Sequence, residues 1–200
     1  MIFGVDRRVG GAIRLEGEAV AVSSPNDAIG RGIYLVPEDR KRSGLVLDFS
    51  LVENVSLPDL FNHARLRLIR PASEAATAER QRRRLNIKAP ADVTAVTVLS
   101  GGNQQKVVLA KWLAMTPRVI IFDEPTRGID VGAKNEIYEL MRALADSGVA
   151  ILMISSDMEE VIGVSDRIAV MCEGSIGGFL ERDRFSEQNV LQLAVGNRLN

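Results

Sequence analysis

An α/β fold built on a parallel sheet is predicted by three observations. Apolar runs of strand length recur at residues 119–122, 150–155 and 167–171. Between the first two lies an amphipathic helix, with Ile137, Leu140, Met141 and Leu144 at i, i+3, i+4 and i+7 and Gly148 just past its end. The runs are almost continuously apolar rather than alternating, which is the pattern of a sheet covered by helices on both faces.

The remaining elements follow in chain order. Residues 12–15 and 19–22 flank Glu16-Gly17-Glu18 and read as a small β-hairpin with the glycine at its turn. Gly32-Ile33-Tyr34-Leu35-Val36 is an apolar strand stopped by Pro37, and Glu38-Asp39-Arg40-Lys41-Arg42 is a charged loop after it. From about residue 51 to Pro90 the character changes: there is little β pattern, alanines are frequent, and an arginine-rich segment over residues 72–85 suits a helical subdomain. A helix over residues 104–114 carries Val107, Val108, Ala110, Lys111 and Leu113, and Pro117 closes the loop before the next strand.

Composition narrows the function. A chain of 200 residues suffices for one domain with a substantial core. A net charge of −1 gives no general case for nucleic acid or an anionic membrane as partner. The single cysteine, Cys172, excludes an internal disulfide framework and suits a reducing compartment. The first eleven residues hold no apolar stretch long enough for a signal peptide, and the longest apolar runs are strand-sized, too short to span a bilayer.

Several conspicuous residues take a structural reading. His63, the only histidine, is expected at the surface of the helical region. Arg80, Arg82, Arg83 and Arg84 read as a solvated helix face, because Glu74 and Glu79 lie nearby and aromatics for base stacking are absent. Trp112 and Cys172 are packing residues.

Two segments carry chemistry. Leu99-Ser100-Gly101-Gly102-Asn103-Gln104-Gln105 places a serine and two glycines at a helix N-terminus, where free N–H groups and the positive end of the dipole suit a phosphate. Val119-Ile120-Ile121-Phe122-Asp123-Glu124-Pro125-Thr126 is a buried strand ending in two carboxylates, costly at a core edge unless they are used. No G-x-x-x-x-G-K-[ST] phosphate loop occurs in the sequence; Val9-Gly10-Gly11 and Gly30-Arg31-Gly32 lack the following Lys-[ST] and read as turns.

In this order the two segments resemble the signature motif and the Walker B strand, with its adjoining glutamate, of the ABC-type ATPases. The chain as a whole resembles the C-terminal nucleotide-binding half of the double-ATPase subunit of bacterial monosaccharide importers, the ribose, xylose, arabinose and galactose type. Ile2-Phe3-Gly4-Val5-Asp6 resembles the end of the helix after the phosphate loop. Pro37-Glu38-Asp39-Arg40-Lys41 stands at the glutamine loop, with Glu38 in the glutamine's place. Residues 124–134 match the D-loop with Asp130, and Ile154-Ser155-Ser156-Asp157 falls at the switch, with Ser156 in the histidine's place. The likeness extends to Val195-Gly196-Asn197-Arg198.

The resemblance implies a P-loop NTPase fold lacking its Walker A part. Residues 1–50 would be the rest of the N-terminal core, 51–98 the helical subdomain, and 99–200 the signature helix, Walker B, D-loop and C-terminal core. It implies ATP and Mg²⁺ as cofactors, with Asp123 on the metal and Glu124 as general base for the attacking water. Ser100, Gly101, Gly102, Asn103 and Gln104 would serve the γ-phosphate of a nucleotide on a partner's phosphate loop, and Asp130 would sit across the dimer seam. Glu38, Asp39, Arg40 and Lys41 would contact the membrane subunit. The implied partners are a second ATPase half, integral permease subunits and, indirectly, a sugar-binding protein, at the cytoplasmic face of the membrane and without nucleic acid. Two other readings stay open: a non-catalytic fragment or interaction module, and an ABC-type ATPase of DNA repair or chromosome organisation. The last would set a long coiled coil or a zinc module near these motifs, and this chain has neither heptads nor a cysteine pair. Finally, the strand of a phosphate loop is expected beside residues 119–122, so that in this chain those residues would form a bare apolar edge.

Overall fold

Local signals start most of the elements. In the computed structural model, which describes residues 1–89 and 95–197, β1 (Ile13–Leu15) and β2 (Glu18–Val20) pair antiparallel with Leu15 opposite Glu18. Glu16 and Gly17 both take positive φ, 53° and 86°, the two-residue turn whose twist matches that of its strands. Pro90 and Arg198, named above as ends of the helical region and of the resemblance, lie outside the described residues. α1 (Pro25–Gly30) follows, with Ser24 accepting the Asp27 N–H as its cap and Pro25 in the first turn. β3 (Ile33–Val36) comes next.

The charged loop after β3 is partly helical, which corrects its reading as plain loop. Arg40–Gly44 forms one π-type turn, and the Asp39 carboxylate accepts the N–H groups of Lys41 and Arg42 at its start. Single turns of this kind concentrate at functional sites.

The segment that follows is helical but not free of β structure. α2 (Leu51–Ser56) opens on a capping box between Ser50 and Glu53. β4 (Ala64–Arg65) and β5 (Leu68–Ile69) then form a short antiparallel hairpin. Its turn residues, Leu66 and Arg67, adopt φ of 52° and 66° with no Gly, Asn or Asp to announce it. The hairpin also corrects the placement of His63, which is only 6% exposed. Its carbonyl accepts the Arg70 N–H at 2.9 Å and its Nδ1 lies 3.0 Å from Ser73 Oγ. α3 (Pro71–Arg84) presents the expected solvated face, with Arg82 and Arg83 both on the Glu79 carboxylate.

α4 (Gly101–Leu113) is buried along nearly its whole length, including Val107, Val108, Leu109 and Ala110. Trp112 stacks on Tyr34 at 5.0 Å between centroids, with Phe3 edge-on at 6.3 Å. β6 (Val119–Asp123) runs parallel to β3, from Ile33 opposite Val119 to Val36 opposite Phe122. α5 (Val131–Asp146) buries Ile137, Met141 and Leu144 of the stripe read from the sequence, with its fourth member, Leu140, half-buried. With β7 (Ala150–Ile154) the sheet has the order β3-β6-β7. β6 is thus the middle strand, flanked on both sides, and the expectation of a bare edge at residues 119–122 is corrected: the strands ending the order are β3 and β7.

The chain divides into two compact units, Met1–Leu152 and Met153–Asn200. In the second, α6 (Met158–Val164) and α7 (Glu187–Ala194) accompany the antiparallel pair β8 (Arg167–Cys172) and β9 (Ser175–Glu181). Ile168, Val170, Leu180, Val190 and Leu193 are its core. Among the described residues no helix is long and apolar enough to cross a membrane.

Candidate functional site

The start of α4 is shaped by its first three residues. Ser100 is extended, with φ −60° and ψ 157°, and its Oγ accepts from the Asn103 N–H at 3.4 Å and Asn103 Nδ2 at 3.0 Å. The N–H groups of Gly101 and Gly102 lie in the first turn, where the helix itself offers no acceptor. A Cβ on Gly102 would stand 2.8 Å from the Ala133 Cβ, so α4 meets the first turn of α5 at a distance only glycine allows. Asn103 Oδ1 also accepts the Lys88 N–H at 2.8 Å. Gln104 faces the other way. It is 3% exposed, its N–H donates to the Ser100 carbonyl at 2.8 Å, and its Nε2 donates to the Val96 carbonyl at 3.2 Å.

β6 emerges from the core at Asp123 and Glu124. Ile120 and Phe122 are fully buried, and the two carboxylates after them are half-buried. Burial, and next the neighbouring Glu124 charge, raise the Asp123 carboxyl above the usual carboxylate range. Glu124 takes φ 46°, a left-handed conformation that costs a non-glycine residue about 1–3 kcal/mol and gathers at sites where it serves function. A tight turn follows: the Arg127 N–H donates to the Glu124 carbonyl at 3.1 Å and the Ile129 N–H to the Thr126 carbonyl at 3.4 Å. Asp130 closes it as the cap of α5, its Oδ1 accepting the Ala133 N–H at 3.0 Å.

The charged segment after β3 reaches this same turn. Glu38 forms an ion pair and hydrogen bond with Arg127. Arg40 donates to the Arg127 carbonyl at 3.3 Å and the Gly128 carbonyl at 3.5 Å. Asp39 is occupied in capping, and Lys41 is exposed. Sequence reading gave Arg127 no role of its own; its partner Glu38 is 89 positions away, beyond any local signal. Ser156 belongs to the second unit, between β7 and α6, where the Asp157 N–H donates to Ser155 Oγ at 3.0 Å and Asp157 Oδ1 accepts the Glu160 N–H at 3.2 Å.

Among the described residues no three or more His, Cys, Asp or Glu side chains converge as a metal cage. The donor set at the end of β6 is one or two carboxylates. That fits Mg²⁺, which keeps several waters and takes most of its other ligands from substrate phosphates.

A family profile for ABC transporters matches residues 1–127. The chain belongs to the ABC transporter family. The ribose import ATP-binding proteins RbsA of Lactococcus lactis subsp. cremoris and of Bacillus cereus are 49% and 47% identical to this ABC-family chain over 197 and 195 residues, 98% of its length in each case. These alignments cover 40% and 39% of the relatives, so the chain spans about two fifths of the length of the curated proteins it matches. Among solved structures, the dimeric post-hydrolysis state of the ATP-binding cassette MJ0796 with ADP and Pi superposes with a TM-score of 0.74 at 20% identity, over 92% of this chain and 78% of the other. The cbiO1 structure from Clostridium perfringens gives 0.72 at 22% identity, over 96% and 74%. The fold is therefore that of an ABC ATPase cassette, with its parallel-sheet core and small antiparallel pairs.

Proposed function

We propose that this chain forms part of the ATP-hydrolysing subunit of a monosaccharide importer, and that it serves a nucleotide held by a partner ATPase half. One observation carries the reading: a serine-capped, glycine-led helix N-terminus lies against the turn over residues 124–130 that follows the strand-end carboxylates, in a chain whose relatives are named for ribose import.

Each residue has a distinct task. Ser100 Oγ and the N–H groups of Gly101 and Gly102 face the γ-phosphate bound to the partner's phosphate loop. Glu124 accepts the proton of the attacking water as it adds to phosphorus. Asp123 holds Mg²⁺, directly or through water, and the ion when bound neutralises charge on the phosphate oxygens. Asp130 sits at the seam between halves, Glu38 occupies the glutamine's position and Ser156 the switch histidine's, and the segment from Glu38 to Lys41 couples to the permease. Gln104 Nε2 is bonded to the Val96 carbonyl, so its part at the site is to hold the first turn of α4 in place. The proposed setting is the cytoplasmic face of the membrane, with permease subunits, a second ATPase half and, indirectly, a sugar-binding protein.

Two experiments test the reading. The 200-residue chain alone binds MgATP weakly or not at all and shows no steady phosphate release, since its sequence offers no phosphate-loop lysine or amide cradle. Micromolar affinity by calorimetry together with turnover would defeat it. In the complete subunit with its membrane partners, Gly101→Asp abolishes transport-coupled hydrolysis, because a carboxylate enters the seat of the γ-phosphate. Glu124→Gln removes a base worth about 10²- to 10⁴-fold, but only at this half's own, weaker site, where Glu38 already replaces the usual glutamine. Total ATPase therefore falls less for Glu124→Gln than for Gly101→Asp; equal losses would show that the two sites fire as an obligate pair.

A further inference from the structure

Arg40 stands at a crossing point. Its guanidinium donates through Nη1 to the Arg127 carbonyl at 3.3 Å and through Nη2 to the Gly128 carbonyl at 3.5 Å. The same Nη2 lies 2.6 Å from the point where a Cβ on Gly101 would stand. One planar group thus touches the turn leading to Asp130 and the first residue of α4 together. Its Nε is shielded from solvent and has no hydrogen-bond partner, so the outer fork makes all the bonds. Glu38, two residues earlier, grips Arg127 by its side chain while Arg40 grips the backbone of the same turn.

We propose that Arg40 is a positioning residue that latches the 127–130 turn to the N-terminus of α4, so that a displacement of the charged segment moves both as one body. What those two elements do with a nucleotide rests on the reading above; the latch itself does not. Its chemistry is specific to arginine, because a planar fork can address two carbonyls a peptide apart, whereas an ammonium is a single point of donation on a flexible stem. It also gives Gly101 a second reason to be glycine. Any side chain at 101 takes the space of the fork and drives Arg40 off the Gly128 carbonyl.

Amide hydrogen exchange on the 200-residue chain, without nucleotide, reads the latch at Arg127 and Ile129, whose N–H groups are bonded within the turn. Arg40→Ala speeds exchange at these two amides by roughly three- to tenfold, the range expected for losing one modest hydrogen-bonded contact. The α2 amides and the thermal midpoint stay as in the parent. Arg40→Lys gives a smaller rise at the same two positions. Gly101→Ala reproduces the Arg40→Ala pattern, and the double variant exchanges no faster than Arg40→Ala alone. Unchanged exchange at Arg127 and Ile129, a uniform rise across residues 1–152, wild-type behaviour of Arg40→Lys, or additive effects in the double variant would each overturn the proposal. If Arg40→Ala does not fold, Arg40→Lys and Gly101→Ala still decide it. No nucleotide enters the measurement, so a failure of the ATPase reading and a failure of the latch are seen separately.

Discussion

At the scale of single residues, Lys111 shows what a buried charge costs. Its Nζ donates to the Gly44 carbonyl at 2.5 Å and lies 4.8 Å from the centre of the Trp112 ring, with no carboxylate paired to it among the described residues. Burial lowers its ammonium from an ordinary 10.5 to about 8. Between those values the unfolded chain still holds the proton that the folded chain has released, so stability rises with pH across that window, by at most about 3 kcal/mol. Lys111→Met removes the titrating group while keeping an apolar stem. Urea unfolding at pH 7.5 and pH 10 checks this: the parent gains stability at the higher pH relative to the variant, and the variant is the more stable of the two at pH 7.5. Parallel pH profiles would mean that the carbonyl and the indole face already compensate the charge. Glu124 makes a related point, since a left-handed glutamate directly after a buried strand spends backbone strain at the position assigned to the base.

At the scale of elements, the contact of α4 with α5 depends on Gly102 facing Ala133. Gly102→Ala forces two Cβ atoms to 2.8 Å, and neither is the movable end of a side chain. Overpacking of this kind costs about 1–3 kcal/mol, and Ala133→Gly in the same chain should return part of it by reopening the space. Chemical denaturation of the two single variants and the double variant reads the coupling; a neutral Gly102→Ala would show that the helices shift apart freely. The same elements show what a sequence declares. β6 and α5 were legible because their signals are local: an unbroken apolar run ending in two acids, and a stripe at helical period. Ser100 to Gly102 were legible at the start of α4 and Asp123 and Glu124 at the end of β6 by such local signals, whereas Asp130, the cap of α5, was reached only through the likeness to the D-loop. The hairpin at Leu66-Arg67 was not, because its positive-φ turn uses residues that carry no turn preference. α1, six residues long, offers no full period to detect, although Ser24-Pro25 marks its start. The Glu38–Arg127 and Arg40–Gly128 contacts join positions 89 and 88 apart, and the order β3-β6-β7 is likewise a matter of pairing between distant segments. Motif recognition supplied the residues; only the fold supplied which of them touch.

At the scale of the whole molecule, the sheet ends on β3 and β7, and the β7 edge bears on how the chain behaves in solution. Its exposed face carries Leu152 and Ile154, 39% and 49% exposed, beside backbone groups that no strand pairs on the outer side among the described residues. Natural proteins blunt such edges with charge, proline or a covering element, and residues 150–154, Ala-Ile-Leu-Met-Ile, supply none of the first two. A net charge of −1 on 200 residues adds almost no long-range repulsion to keep copies apart. The purified chain is therefore expected to self-associate, with a weight-average mass by sedimentation that rises with concentration. Leu152→Glu places a charge on the exposed face of the edge strand without emptying the core, moves the net charge further from zero, and shifts the distribution toward monomer at equal concentration. Added salt partly reverses that shift, because like charges across a paired edge repel less when screened. A parent chain that stays monomeric over the whole range, with one sharp cooperative melt, would show that β7 is already protected.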